Sequence, residues 1–148
     1  MIVRKSLKSV WIMLSIFLFA ATVYAHCEIP CGIYDDEMRI EMINEHIDTI
    51  EKSMKQITAL APAPGHHANQ LTRWVMNKEH HANELQEIVS QYFLTQRIKS
   101  DQPDYEKKLV LLHQMLVTAM KCKQTTDLKN TETLRKLTAD FAKLYFQK

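Results

Sequence analysis

The sequence contains little glycine and little proline, with 2 Gly and 4 Pro among 148 residues. This scarcity excludes a collagen helix, a disordered low-complexity chain and the many tight turns of an all-β sandwich. It also excludes a glycine-rich phosphate-binding loop. The formal net charge is only +2, so the composition gives no support for a nucleic-acid-binding protein.

Two motifs that are common in helical metalloproteins are missing as well. None of the 7 histidines has a glutamate three residues before it, so the Glu-x-x-His pairs of a di-iron bundle are absent. The Cys-x-x-Cys-His motif of covalently attached haem is also absent. Adjacent histidines occur at His66-His67 and His80-His81, but neighbours on a helix point about 100° apart and do not readily chelate one ion. We interpret both pairs as surface or interface residues.

The chain begins with a segment typical of a secretory signal peptide. Residues 1–9 carry three basic side chains and no acidic one, and residues 10–25 form an uncharged run that ends in Ala25. As a helix this run would rise about 24 Å, less than the roughly 30 Å hydrocarbon core, which favours cleavage over an uncleaved anchor. We predict cleavage before His26, leaving one domain of residues 26–148 that is exported to the periplasm or secreted and is not membrane-bound.

Four segments of the remaining chain show apolar residues at helical spacing. Isoleucine or methionine recurs every three or four residues over 40–57, and similar patterns follow over about 68–98, where Val75 is expected on the buried face, over 109–119 and over 134–144. Breaking residues separate these segments, and no segment alternates with a period of two. The sequence therefore predicts an all-α protein, an antiparallel up-down four-helix bundle preceded by an irregular N-terminal segment.

That N-terminal segment carries the densest metal-binding chemistry of the sequence. As a new N-terminus, His26 offers an α-amine and an imidazole, and Cys27 adds a backbone amide nitrogen and a thiolate. Amine, amide and thiolate close two fused five-membered chelate rings around a metal. The Cys31 thiolate completes a plane if the chain turns back at Pro30 and Gly32. An N₂S₂ plane suits Ni(II) or Cu(II), whereas Zn²⁺ prefers a tetrahedron, and the histidine ring remains as an axial ligand.

The motif His-Cys-x-x-Pro-Cys-Gly-x-Tyr at residues 26–34, here called the hook, resembles the start of the nickel superoxide dismutase family. Similar positions follow at 39–41, 78–79 and 92–93, so the resemblance covers most of the chain after the leader, and the family's four-helix fold agrees with the periodicity. The resemblance implies a homohexamer of bundles with one nickel ion per chain. It further implies that superoxide is disproportionated to O₂ and H₂O₂ by cycling between Ni(II) and Ni(III).

The same resemblance implies a role for each residue of the site. Nickel is bound by the amine and imidazole of His26, the amide and thiolate of Cys27 and the thiolate of Cys31. Tyr34 stands over the open metal face, where its hydroxyl orders water or the incoming anion. Glu41 orients the axial imidazole by accepting its hydrogen bond.

Two positions depart from the family pattern, and one further cysteine lies outside it. Glu28 replaces the aspartate that often follows the first cysteine, a mild change. The arginine that assists the imidazole-binding glutamate in one branch of the family aligns with His81, a side chain that can be neutral at pH 7. Cys122, late in the third predicted helix, is interpreted as a small buried apolar residue rather than a functional thiol.

Three alternatives to the enzyme hypothesis remain open from the residues alone. Cys27 and Cys31 can form a disulfide in an oxidising compartment, although so short a loop would stabilise the bundle little. An exported, non-enzymatic nickel or copper carrier can use the same hook, and it would exchange metal without catalytic loss of superoxide. An interaction module with an oxidised hook is the third alternative.

Overall fold

The structure is a computed structural model that describes residues 36–147. It contains four α-helices and one π-helical segment, with no strand among the residues described: α1 (Asp36–Leu60), α2 (Pro64–Glu87), the π-segment (Ile88–Arg97), α3 (Tyr105–Gln124) and α4 (Lys129–Phe146). Each helix packs on the next, and α1 packs on α4, so the four helices close into a bundle. The predicted all-α four-helix bundle is confirmed. The hook and the predicted leader lie outside the described residues.

Helix α1 follows the predicted isoleucine stripe. Ile43, Ile47 and Ile50 are completely buried in the core, at steps of three and four residues, the spacing that keeps side chains on one helix face. Asp36 and Glu37 occupy the first turn, where their negative charge is favourable beside the unpaired N–H groups. The first turn thus stabilises the end of α1 to which the hook is attached. Within the part of the chain that the structure describes, no helix is long and apolar enough to cross a membrane.

Helix α2 differs from its predicted form in two respects. It begins at Pro64 rather than near residue 68. Proline is tolerated in the first turn of a helix because the N–H group that it lacks would have no partner within the helix there. Val75, expected on the buried face, is 39% exposed, whereas Lys78 is only 4% exposed. The reason lies in helix α3: the Lys78 ammonium donates hydrogen bonds to the carbonyl oxygens of Cys122, at 2.8 Å, and Lys123. Its charge thereby meets the negative end of the α3 dipole.

The π-segment was not predicted, and it completes the core. The backbone N–H of Ile98 donates to the carbonyl of Phe93 at 3.0 Å, and the hydroxyl of Thr95 donates to the carbonyl of Ser90 at 2.8 Å, both five residues earlier. The wider turn buries two consecutive aromatic residues, Tyr92 and Phe93. The ring of Phe93 packs edge-on against Phe141 of α4, with ring centroids 5.0 Å apart.

We expect replacement of Phe141 by alanine to destabilise the fold severely. The ring is completely buried, so its loss leaves a cavity and should lower the free energy of unfolding by about 3–5 kcal/mol. Phe146, which lies on the same helix and is 40% exposed, is the matched control, and Phe146→Ala should cost less than about 1 kcal/mol. Urea unfolding of both variants measures the difference. Equal losses would show that the core is not organised around the Phe93–Phe141 contact.

Candidate metal centre

The structure describes the bundle that follows the predicted metal ligands in the chain, not the ligands themselves. His26, Cys27, Cys31 and Tyr34 lie outside the described residues, and their predicted roles stay predictions. The hook joins the bundle at Asp36, the first residue of α1. The geometry around this residue therefore determines how the bundle holds the start of α1, next to the chain that carries the predicted ligands.

The carboxylate of Asp36 is bound by side chains from two other elements. The hydroxyl of Tyr92, on the π-segment, donates to Oδ1, and the hydroxyl of Tyr145, on α4, donates to Oδ2 at 2.7 Å. The guanidinium of Arg97 lies 3.0 Å from Oδ1 and also donates to the Tyr92 hydroxyl at 2.7 Å. We call these four residues the Asp36 cluster. It ties the start of α1 to the ends of the π-segment and of α4.

Burial and charge keep the donors of this cluster protonated. Desolvation and the hydrogen bond to Asp36 raise the pKa of Tyr92, and the same two causes raise the pKa of Tyr145. The hydrogen bond to Tyr92 raises the pKa of Arg97. The guanidinium carbons of Arg39 and Arg97 lie 4.7 and 4.8 Å from the centre of the Tyr92 ring, within the range of cation–π attraction. Both phenols therefore act as stable hydrogen-bond donors near neutral pH.

A cleft of about 370 Å³ opens beside the cluster and includes Asp36, Lys108 and Tyr145 in its walls. The Lys108 side chain is buried, and its ammonium lies 5.9 Å from the centre of the Tyr145 ring. Arg39, Arg97 and Lys108 bring three positive charges to the tyrosines of the cluster. The carboxylates of Glu37, in the first turn of α1, and Asp104, in the cleft wall, lie at the same end of the bundle as Asp36. The helix dipole adds a partial positive charge at this end.

Glu41, the predicted partner of the His26 imidazole, and His81, which aligns with the family's assisting arginine, do not meet in the structure. Glu41 is exposed on α1. His81 contacts His46 instead, with the two Nδ1 atoms 2.9 Å apart. His46 follows Glu41 by five residues, which corresponds to about 140° around the helix axis. The structure thus pairs His81 with a histidine on the opposite side of α1 from Glu41.

Cys122 behaves as predicted for a structural cysteine. Its side chain is completely buried, and burial raises the pKa of its thiol to about 11. The thiol therefore stays protonated at neutral pH and is a poor metal ligand. Among residues 36–147, no group of three or more His, Cys, Asp or Glu side chains is placed to hold a metal ion. The described bundle offers no three-ligand centre that would compete with the hook.

Sequence reasoning missed the Asp36 cluster and the His46–His81 pair. The cluster joins Asp36 to Tyr145 across 109 positions, and no periodicity relates the start of one helix to the end of another. The histidine pair joins residues 35 positions apart, whereas the sequence drew attention to adjacent histidines. A helical-wheel comparison of α1 and α2 would have placed both histidines beside the apolar stripes, but without a register between the helices.

Comparison with known proteins gives one positive finding. A family model described as nickel-containing superoxide dismutase matches residues 21–148, which includes the hook and the whole described bundle. Neither the curated proteins nor the solved structures contain a match to this chain.

We expect Asp36→Asn to destabilise the start of α1. The neutral amide loses the charge that Arg97 and the two tyrosine hydroxyls bind, and the free energy of unfolding should fall by about 1–3 kcal/mol. Glu37→Gln changes an exposed neighbouring charge of the same first turn and should cost less than about 0.5 kcal/mol. Denaturant unfolding followed by circular dichroism measures both values. If the two variants lose the same stability, the cluster does not hold the helix end.

We also expect the histidine pair to make stability depend on pH. The pKa of His46 is lowered, mainly by burial and then by the neighbouring His81. The pKa of His81 is lowered by burial and then by His80. Glu84 opposes both shifts, and Glu45 opposes that of His46. The unfolded chain then binds more protons just below its histidine pKa of about 6.5, so the free energy of unfolding falls as the pH drops through this window.

The measurement is the urea midpoint between about pH 5 and pH 8, the range in which histidine titrates. His46→Gln should flatten the pH dependence relative to the parent chain, whereas His113→Gln, at an exposed site on α3, should leave it unchanged. An unchanged slope in His46→Gln would contradict the assignment.

Proposed function

The chain belongs to the nickel-containing superoxide dismutase family, and we propose that the hook at its N-terminus binds the nickel. The chain is accordingly a nickel-dependent superoxide dismutase, an oxidoreductase. The proposed donors are the amine and imidazole of His26, the amide and thiolate of Cys27 and the thiolate of Cys31. The observation that carries this assignment is the family match across residues 21–148, because that range includes a donor set suited to a planar N₂S₂ metal site.

The donor set fits the redox task. Bound nickel supplies one-electron chemistry between Ni(II) and Ni(III), so that one superoxide leaves as O₂ and a second, with two protons, leaves as H₂O₂. Deprotonated Cys27 and Cys31 place negative charge beside the ion, which favours the higher oxidation state. The imidazole of His26 would be a further nitrogen donor to the ion. All proposed donors lie within residues 26–31, so the bundle would contribute no nickel ligand and would serve to hold the hook in place.

The α-amine of His26 exists only after processing. We propose that cleavage after Ala25 removes the leader of residues 1–25 and leaves a domain of residues 26–148. The basic start, the uncharged run and the small residue before the cut support this proposal. Such a leader directs the chain to the periplasm or out of the cell, where unprotected thiols oxidise readily. Nickel binding then also protects the two hook thiols.

Tyr34 and Glu41 act around the ion rather than on it. Tyr34 precedes Asp36 by two residues, so the Asp36 cluster holds the chain close to the position from which the Tyr34 hydroxyl would order water or superoxide. Glu41 lies within two turns of the start of α1 and is exposed, which leaves its carboxylate open to the His26 ring. Since His81 pairs with His46, Glu41 orients the ring without help from His81.

Cationic side chains at the base of the hook guide the substrate. Superoxide is an anion, and Arg39, Arg97 and Lys108 lie beside Tyr92 and Tyr145, the two tyrosines that bind the first residue of α1. Their positive potential raises the local concentration of the anion and speeds its arrival, an effect that salt weakens.

A homohexamer is proposed for the assembled enzyme, as the family resemblance implies. Several apolar side chains on the bundle surface support an assembly that covers them. The most exposed are Met76 on α2, at 65%, and Val110 on α3, at 54%.

The carrier hypothesis is disfavoured by the family membership. A carrier and an enzyme share the ligands but differ in turnover, and the ligand variants described below separate the two.

Replacing either hook cysteine should abolish activity. Cys27→Ser and Cys31→Ser each remove a thiolate from the plane, so we expect loss of bound nickel, of the thiolate-to-metal absorption and of superoxide disproportionation. Cys122→Ala is the matched control, because the Cys122 thiol is buried in the bundle and protonated. This control should keep its nickel and its turnover with a stability loss of about 1 kcal/mol. Full turnover in either serine variant would contradict the assignment of the ligands.

His26→Ala separates the axial role from the planar ligands. The amine, the amide and both thiolates remain, so we expect Ni(II) to stay bound while turnover, followed by pulse radiolysis, is lost. Normal turnover in this variant would contradict the axial role. A parent chain that binds nickel but never consumes superoxide would instead identify a carrier.

A further inference from the structure

Two histidines from different helices meet on the side of the bundle formed by α1 and α2. His46 and His81 approach with their Nδ1 atoms 2.9 Å apart and their ring centroids 5.1 Å apart at an interplanar angle of 51°. Both side chains are half-buried, so solvent reaches the pair. Neither residue belongs to the proposed hook, and the pair is defined wholly by described residues.

The separation of the two nitrogens matches one edge of a metal coordination sphere. Two metal–nitrogen bonds of about 2.0–2.1 Å at a right angle give a nitrogen–nitrogen edge of about 2.9 Å, as in the square-planar or tetragonal complexes of Cu(II) and Ni(II). A tetrahedral site with the same bonds needs an edge of about 3.3 Å. A hydrogen bond between the two rings gives the same distance, so the separation shows that both nitrogens reach neighbouring positions, and the choice of metal rests on imidazole, a ligand that suits Ni(II) and Cu(II).

We propose that His46 and His81 form a second metal site, separate from the hook, in which two imidazole Nδ1 atoms bind Ni(II) or Cu(II) in neighbouring positions. In the metal-free pair one Nδ1–H donates to the other Nδ1. Binding replaces this shared proton by the ion, and the donating ring takes a proton on Nε2 through solvent. The two imidazoles remain neutral throughout, which is the form that histidine uses as a ligand.

The surroundings of the pair support a cation. Glu84 and Glu45 are the negative groups that act on these rings, and Glu84 lies 3.8 Å from the Nδ1 of His80. The ring of His80 lies 5.3 Å from that of His81 and is the other titratable group beside the pair. In residues 36–147 no third side chain completes the site, so water fills the remaining positions and the carboxylates contribute charge. Burial lowers the pKa of both rings, so few protons compete with the metal at neutral pH.

The site would tie α1 to α2. An ion that binds the folded pair more tightly than the separated helices stabilises the fold in proportion to the logarithm of its concentration. The pair is formed by α1 and α2 without the hook, so we expect its ion whether or not the hook binds nickel as proposed.

The test is a titration of the nickel-loaded protein that starts at His26 with Ni(II), with binding measured by equilibrium dialysis. We expect a second, weaker equivalent whose affinity falls by about tenfold or more in His46→Ala and in His81→Ala, since each keeps only one donor. The double variant should bind at least as weakly as either single variant, because it keeps neither donor. His66→Ala and His113→Ala, at exposed positions elsewhere, are the matched controls and should bind as the parent does.

Two further measurements keep the outcome distinct from that of the hook and from misfolding. A chain carrying His26→Ala, Cys27→Ser and Cys31→Ser should still bind at the histidine pair, and with Cu(II) its electron paramagnetic resonance spectrum should show coupling to imidazole nitrogen that is lost with His46. Circular dichroism of each variant verifies the fold. Unchanged affinity in both histidine variants, or no second equivalent up to about 1 mM Ni(II), the weak-binding limit, would overturn the proposal.

Discussion

The carboxylate of Asp36 is the contact on which the arrangement of the site depends. It is the first residue of α1, and its two oxygens bind hydroxyls from the π-segment and from α4, together with the guanidinium of Arg97. The carboxylate is partly buried, and the two tyrosine hydroxyls that donate to it, together with the positive charge of Arg97 beside it, compensate for the water that it loses. Because residues 26–34 precede Asp36 closely in the chain, the cluster holds the start of α1 next to the segment that carries the proposed nickel donors.

In the proposed enzyme, the hook supplies the nickel ligands and the helical bundle supplies the residues that position and surround them. All proposed nickel donors come from residues 26–31, so the bundle need not bring ligands together from separate helices, as di-iron bundles must. We propose that the bundle instead supplies a fixed start of α1, cationic side chains near it and the exposed carboxylate of Glu41. This division explains why the interior of the bundle is free to be apolar, with Cys122 buried as a protonated thiol.

The four helices could be predicted from the sequence because their apolar spacing is local and their breakers are few. Ile43, Ile47 and Ile50 lie where the period places them. The π-segment could not be predicted, because apolar spacing does not specify which carbonyl each N–H will bind. The prediction that Val75 is buried was wrong for a related reason. Lys78 is buried on that helix instead, because its ammonium donates to carbonyl oxygens 44 and 45 positions away in the chain. The hook could be proposed because its potential donors are adjacent in the chain, whereas the Asp36 cluster and the His46–His81 pair depend on a helix register that the sequence does not state.

The central claim is that a free histidine amine, created by processing, is one of the nickel ligands. Intact mass spectrometry of the native protein under non-denaturing conditions, with fragmentation from the N-terminus, measures it most directly. We predict a chain that starts at His26, carries one nickel ion in the hook and has both hook cysteines without a disulfide between them. A fully active enzyme that starts at any other residue would contradict the account.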